Sequence, residues 1–314
     1  MREINILLVS NPKSYAGSGV GVETPVLYEE LAKQPEFKVF HADSRSLVEQ
    51  TSTGLPITVF PSGMSYADLS NWGTDKFMEY SKIDIAYDRM YKPHPVDYMS
   101  NLEKLGEQVR FVDDPKGLSV HLNPHWQLNK WGAFMPQTIV SRDHDIIETF
   151  VKRHLRVIGK PAGYCGGQAV RLIMDSEDIG TLLEDYREEI TWQAFVGGVA
   201  EKRVTVIEGG IVGCIGNCND HHWLNLNSKG STSFPTVANG REMDIIRAIY
   251  PLYDNLGIRT LGFDFIQVTA EESVLIEVNA GNVGGYKKQE IISGISPYPK
   301  LFTMIRNQIG RNHR

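Results

Sequence analysis

Gly262-Phe-Asp-Phe-Ile-Gln-Val268, followed after a polar break by Val274-Leu-Ile-Glu-Val-Asn-Ala-Gly281, is the stretch whose reading decides the fold. Both arms are rich in β-branched and aromatic residues, and Thr269-Ala-Glu-Glu272 between them has turn chemistry, so the segment reads as a β-hairpin. Side chains alternate along a strand, which puts Glu277 and Asn279 on one face and Ile276 and Val278 on the other. A two-residue loop at Ala270-Glu271 would set Asp264 opposite Glu277 and Gly262 opposite Asn279. Three oxygen-bearing side chains then share one face, with a glycine leaving space beside them. Two readings stand at this point. One is a surface hairpin with its polar face in water. The other is a rigid oxygen set for a hard cation such as Mg²⁺, which keeps waters and takes phosphate oxygens as further ligands. The second reading requires phosphate-binding parts elsewhere in the chain.

The chain has 314 residues, enough for two or three small domains with cores of their own. Its 41% hydrophobic and 22% charged content is that of a soluble globular protein. A net charge of −6 argues against a general nucleic-acid binder, which is usually basic. No apolar run approaches the roughly 18 residues of a membrane span. The start, Met1-Arg-Glu-Ile-Asn-Ile-Leu-Leu-Val-Ser10, lacks a signal-peptide layout and reads as a first buried strand. Three cysteines cannot all pair, and with no export signal they read as free thiols in a reducing, cytoplasmic compartment. Cys214 and Cys218 have a poor zinc spacing without a second pair, although His221 and His222 follow soon after.

The N-terminal part reads as strand 4–10, a glycine-containing loop, a helix at Pro25–Gln34 and a strand at Lys38–His41, the opening of a doubly wound domain. Gly17-Ser-Gly19-Val-Gly21 does not fit G-x-G-x-x-G and is read as a substrate-contacting loop. Residues 43–80 have weak periodicity. A strand at Ile83–Tyr87 leads to Arg89, either a functional residue at a strand end or a solvated loop residue. A helix at Tyr98–Glu107 and a strand from Val109 close this domain near residue 115.

Residues 120–190 read as a smaller unit. Helices fall at Pro124–Trp131 and Asp143–His154, strands at Gln137–Val140, Arg156–Lys160 and Val170–Ile173. A further helix at Ile179–Arg187 has Asp175 and Ser176 as candidate caps. Lys160 ends a strand and is followed by Pro161-Ala-Gly163-Tyr-Cys-Gly166-Gly167. A lysine aimed at phosphate, with a glycine loop whose N–H groups approach phosphate oxygens, is one reading; a plain hairpin turn with a solvated lysine is the other. The loop is not a P-loop, and Cys165 within it has no base beside it in sequence to make it a nucleophile. Trp192–Val196 reads as an apolar hinge against which an adenine can lie. In Glu201-Lys-Arg203-Val-Thr-Val-Ile207, Arg203, Thr205 and Ile207 share a face; such an arginine meets an anion, or else pairs with Glu201 or Glu208. The long polar segment 217–240 holds His221, His222, Asn225, Asn227 and Lys229 and has the length of a functional loop. A helix at Glu242–Leu256 leads back to the hairpin.

Lysine and glycine loop, hinge, Glu201-x-Arg203 strand, polar loop, helix, then Gly262-x-Asp264 and Glu277-x-Asn279: in this order the parts resemble the ATP-grasp ligases. The likeness is to their bacterial glutathione synthetase and ribosomal-protein glutamate ligase branch, over residues 105–290. The resemblance implies an α/β (α+β) ATP-grasp fold. Its parts would be a doubly wound N-terminal substrate-side domain at 1–115, a lid at 116–190 and a catalytic C-terminal subdomain at 191–314. It implies that Lys160 contacts nucleotide phosphates and that Gly163, Gly166 and Gly167 close over them. Gln193, Ala194, Phe195 and Val196 would meet adenine, mainly through the backbone, and Glu201 the ribose; Asn225 would complete the nucleotide site. Asp264, Glu277 and Asn279 would hold Mg²⁺, with two ions bridged by Glu277, or Mn²⁺ in their place. Arg203, Lys160 and Asn279 would form the catalytic set, Arg203 steadying the transferred phosphoryl group.

The activity so implied is ATP-dependent amide formation from a carboxylate and an amine, through an acyl phosphate, on amino-acid or peptide substrates. Glutathione synthesis proper, glutamate ligation to a peptide or protein, and a non-catalytic ATP-binding module are the alternatives. A cytoplasmic enzyme without nucleic-acid or membrane partners is expected, with homo-oligomers common in related enzymes. The chain departs from the family pattern twice. The family's earlier nucleotide lysine falls near His125, with Lys130 about a turn further on. Trp223-Leu-Asn225 keeps the asparagine but not the arginine of the family's Arg-Gly-Asn, which speaks against γ-glutamylcysteine as substrate.

Overall fold

Strand β1 (Ile4–Ser10) is apolar on both faces: Ile6 and Leu8 enter one core, Leu7 and Val9 another. Such a strand belongs inside a sheet covered on both sides. In the computed structural model, which describes residues 2–11, 23–60, 76–164, 167, 169–218 and 232–310, it does. Helix α1 (Glu23–Ala32) leads to β2 (Phe37–Asp43), parallel to β1. Strands β3 (Gly54–Phe60) and β4 (Lys76–Glu79) extend that edge antiparallel, and β5 (Ile85–Asp88) pairs in parallel with the other side of β1. Thus the weakly patterned 43–80 segment holds two strands of the sheet. Helix α2 (Tyr98–Gly106) covers one face with Tyr98, Leu102 and Leu105. The strand expected from Val109 is only a single bridge between Ala86 and Phe111. The chain leaves the sheet at Asp113, whose Oδ1 accepts the backbone N–H groups of Arg259 (2.5 Å) and Thr260 (2.9 Å).

Helices α3 (Pro115–His121) and α4 (Pro124–Trp131) each begin with proline behind a side-chain cap, Asp114 and Asn123. The next sheet has the order β6-β9-β7-β8, built from β6 (Thr138–Val140), β7 (Val157–Pro161), β8 (Arg171–Ile173) and β9 (Ile190–Ala194). Helices α5 (His144–His154) and α6 (Ser176–Asp185) pack on it through Ile147, Val151, Ile179 and Leu182. Their N-caps are Asp143 and Asp175, each accepting two backbone N–H groups of the first turn.

The third sheet is antiparallel, in the order β12-β11-β10-β13-β14. Its strands are β10 (Ala200–Ile207), β11 (Gly210–Cys218), β12 (Thr232–Pro235), β13 (Thr260–Gln267) and β14 (Ser273–Ala280). Helix α7 (Gly240–Asn255) starts in an Asn239–Glu242 capping box and covers one face. There Ile245, Ile246 and Ile249 meet Val204, Val206, Phe263, Phe265, Leu275 and Val278. Burying each such side chain contributes roughly 1.5–3 kcal/mol, which commits that face to the core and leaves the other for chemistry. Helix α8 (Tyr286–Ser293) lies over β11, with Gln289 against Gly213. Helix α9 (Tyr298–Gly310) returns the end of the chain to the first sheet, placing Leu301, Phe302 and Ile305 beside Ile6 and Leu8. Among the described residues no helix is long and apolar enough to cross a membrane.

Candidate active site

The hairpin brings its polar residues together as the alternation requires. Asp264 pairs with Glu277 and Gly262 with Asn279. The loop, however, is not the two-residue one. Gln267 pairs with Ser273, and the N–H groups of Val268 and Thr269 both donate to the Glu272 carbonyl (2.9 and 3.2 Å). An extra residue, Ile276, then bulges β14 between Leu275, opposite Phe265, and Glu277, opposite Asp264. The longer turn and the bulge shift the register in opposite senses, and the two shifts cancel at the site. The bulge also explains why Leu275 and Val278, three positions apart, both enter the α7 core.

Arg203 stands directly opposite Asp264 on the neighbouring strand. Its Nε donates to Oδ1 (2.5 Å) and its Nη2 to Oδ2 (2.6 Å), a two-pronged charge-assisted contact. The partner is therefore Asp264 rather than Glu201 or Glu208. Asn279 Nδ2 also donates to Asp264 Oδ2 (2.9 Å). Lys160 is not a solvated turn lysine: its Nζ donates to Gln193 Oε1 (2.9 Å) and to the carbonyl of the bulged Ile276 (3.2 Å). The lysine thus ties the β7–β9 sheet to the hairpin. Burial lowers its pKa, while the charges of Glu277, Glu201 and Asp264 act to keep it protonated.

Glu201 lies on the same face, 5% exposed, and its Oε2 has no hydrogen-bond partner among the described residues. Burial, then the neighbouring Asp264 and Glu277, push its carboxyl up to about 8, against the pull of Arg203 and Lys160. Glu277 is open to solvent yet deeply surrounded, as a group on a cleft floor is; its carboxyl too is raised, by desolvation and then by Asp264. Three carboxyl groups thus crowd two cations. A divalent cation between Asp264 and Glu277 would relieve that excess, so the donor set fits Mg²⁺. The set consists of two carboxylates and the Asn279 amide; among the described residues no cluster of three or more His, Cys, Asp or Glu forms a metal cage. Such a mixed set leaves positions for phosphate oxygens and water.

Gly163 and Gly167 both have positive φ (82° and 71°), a conformation suited to glycine. Gly166 and Asn225, with Cys165, His221, His222, Trp223, Asn227 and Lys229, lie outside the described residues. The Gln193 side chain is buried against Lys160. The N–H groups of Ala194 and Phe195 are engaged by the carbonyls of Gln137 (2.8 Å) and Arg156 (3.0 Å), and the Arg156 guanidinium stacks 4.1 Å over the Phe195 ring. Val196 follows, half-buried. His125 and Lys130 occupy exposed positions of α4, and His125 Nε2 lies 3.9 Å from Glu189 Oε2. Arg89 is fully buried, not solvated; its Nη1 donates to the Val283 carbonyl (3.2 Å) and braces the turn after β14. Burial pushes the Cys214 thiol up to about 12.

Lys288 on α8 was not singled out by the sequence reading. Its Nζ lies 3.3 Å from Asn217 Oδ1 and it faces Arg203 and Glu201. The available signal was the basic pair Lys287-Lys288 just after Gly284-Gly285.

Residues 126–290, more than half of the chain, match the family described as "Prokaryotic glutathione synthetase, ATP-grasp domain". A glutathione synthetase from Rhodopseudomonas palustris is 27% identical over 233 residues, 71% of this chain and 72% of that protein. Another from Bradyrhizobium diazoefficiens is 24% identical over 247 residues, 75% of this chain and 77% of that protein. In fold, D-alanyl-alanine synthetase A from Vibrio cholerae is similar with a TM-score of 0.69 at 15% identity, over 99% of this chain and 100% of that one. The chain belongs to the prokaryotic glutathione synthetase ATP-grasp family and is an ATP- and Mg²⁺-dependent ligase that forms carbon–nitrogen bonds.

Proposed function

We propose that this ligase activates a carboxylate of an amino acid or peptide as an acyl phosphate and joins it to an amine. The observation that carries the reading is the single polar face on which Lys160, Arg203, Asp264, Glu277 and Asn279 converge. A substrate carboxylate oxygen attacks the γ-phosphorus of ATP, and the bond to the β–γ bridging oxygen breaks to release ADP. The amine nitrogen then attacks the acyl carbon; phosphate leaves with the carbon–oxygen bonding pair, and the nitrogen loses its proton. Lys160 offsets phosphate charge during the first step. Arg203, held in one orientation by Asp264, steadies the transferred group through the guanidinium edge that Asp264 does not use. Glu201 receives ribose hydroxyls at its unmatched Oε2, and adenine lies along Gln193–Val196. Mg²⁺ held by Asp264, Glu277 and Asn279 would supply neutralisation of phosphate oxygens. Segment 1–115 takes the substrate side, 116–190 the lid and 191–314 the catalytic side. The setting is cytoplasmic.

The test uses Mg·ATP, a panel of amino acids and dipeptides, and hydroxylamine as a general amine that traps acyl phosphates. Hydroxamate, ADP and phosphate in equal amounts support the proposal. ADP formed together with a phosphorylated, hydroxylamine-stable product would make the protein a phosphotransferase instead.

A further inference from the structure

Glu23 opens α1, yet its carboxylate serves another helix. Its Oε1 (3.0 Å) and Oε2 (3.2 Å) both accept the backbone N–H of Lys287, in the first turn of α8. Helix α8 has no cap of its own: Gly285, with φ 94°, stands in the N-cap position and has no side chain to turn back on the first turn. A helix start leaves its first N–H groups unmatched unless a side chain accepts them. Here the acceptor comes from 264 residues away. Glu23 is buried at the junction. Burial raises its carboxyl pKa, while the Arg89 charge and the N–H groups of Lys287, Lys288 and Tyr286 act to keep it ionised. Because Glu23 is also the first residue of α1, the positive ends of two helices meet on one carboxylate.

The first domain also holds the turn between β14 and α8. Arg89 Nη1 donates to the Val283 carbonyl (3.2 Å). Asn282 Nδ2 donates to the carbonyls of Met90 (3.1 Å) and Arg89 (3.4 Å). Gly284 packs beside Glu23, whose Cγ lies 3.8 Å from where a Cβ would stand. Strand β14 is at the edge of its sheet, with β13 on one side only. Asn279 is one residue from the end of that strand, so its alignment depends on the turn that follows.

We propose that Glu23 is a positioning residue: by capping α8 it fixes the turn after β14 and so aims Asn279 at the cation. This rests on the assignment of Asn279 to Mg²⁺ made above.

Two readouts on the full chain test it. In Glu23→Ala, the Tyr286, Lys287 and Lys288 amides should exchange hydrogen at least about ten-fold faster relative to those of β13, the range of one charge-assisted hydrogen bond. Mn²⁺ binding in the presence of ADP, followed by electron paramagnetic resonance, should weaken about ten-fold, while ADP affinity without metal moves less than about two-fold. Glu23→Gln, which keeps one acceptor oxygen, should fall between wild type and Glu23→Ala on both readouts, and it replaces Glu23→Ala if that variant does not fold. Unchanged exchange, faster exchange with unchanged Mn²⁺ affinity, or an equal loss of metal-free ADP affinity overturns the inference. Asn279→Ala is the control. If it too binds Mn²⁺ as the wild type does, the ligand assignment fails and takes the inference with it; if it weakens Mn²⁺ and the Glu23 variants do not, the inference alone fails.

Discussion

Glu201 is a buried acid placed for function at the expense of stability, and its removal gives a signed, measurable effect. Its carboxyl is raised from the ordinary 4.5 to about 8 by burial and by Asp264 and Glu277, so the native state holds a proton that the unfolded chain has released. Between those two values the native state binds more protons, and stability falls as pH rises. The full difference corresponds to about 5 kcal/mol at one unit per 1.36 kcal/mol, nearly all of it expressed above about pH 8. About 3 kcal/mol of it is lost between roughly pH 6 and pH 9. Glu201→Gln keeps the shape and removes the titration. Urea unfolding of the ligand-free protein at the two pH values should show the wild type losing stability that the variant retains. At pH 9 the variant should be the more stable, and near pH 5 the two should nearly coincide. A difference between their pH slopes of less than about 1 kcal/mol would refute the argument, because ionisable groups remote from Glu201 are common to both proteins.

Lys202→Met should cost about 3 kcal/mol in urea unfolding, because it strands Glu242 in a pair of side chains only 3% and 0% exposed; a loss below about 1 kcal/mol would show that Ser273 and Asn239 suffice for that carboxylate. Asp264→Asn should lower the rate of phosphate release at least about 100-fold in protein shown to be folded by circular dichroism, since it weakens the cation site and unfastens Arg203; an undiminished rate would remove Asp264 from the mechanism. Gly213→Val should destabilise by roughly 1–3 kcal/mol in urea unfolding, because an added Cβ falls 1.8 Å from Gln289 Nε2 and pushes α8 off β11; a loss below about 0.5 kcal/mol would show that Gln289 swings aside freely.

Much of the hairpin's meaning was open to reading because a strand has a period of two. Alternation alone puts Glu277 and Asn279 on one face; their pairing with Asp264 and Gly262 follows from a two-residue loop and holds only because the bulge cancels the longer turn. The loop is longer than the two residues expected, and the compensating Ile276 bulge leaves no mark in composition. Arg203 was placed on the correct face, but its partner is 61 residues away and was not reachable by local pairing. Arg89 fails the same way in the opposite direction: nothing in its flanks shows that the turn after β14 closes over it. Lys288 meets Asn217 across 71 residues through the packing of α8 on Gly213, a contact that depends on the absence of a side chain. Residues 43–80 hid two strands because β4 is short and alternates weakly, with exposed Phe77 at an edge. The Asp175 cap is legible because capping is local chemistry, and Ser176, the other candidate, is the first residue of the helix.

The Ile276 bulge also uncouples the tip of the hairpin from its working end. Leu275 and Val278 both plug into the α7 core, so β14 cannot slide along β13 without expelling one of them. Residues gained or lost between Val268 and Ser273 must therefore loop outward into solvent. The tip can change length without disturbing the ligand set, and a peptide tag or fluorophore attached at the exposed Glu271 would report on the protein while that set keeps its alignment.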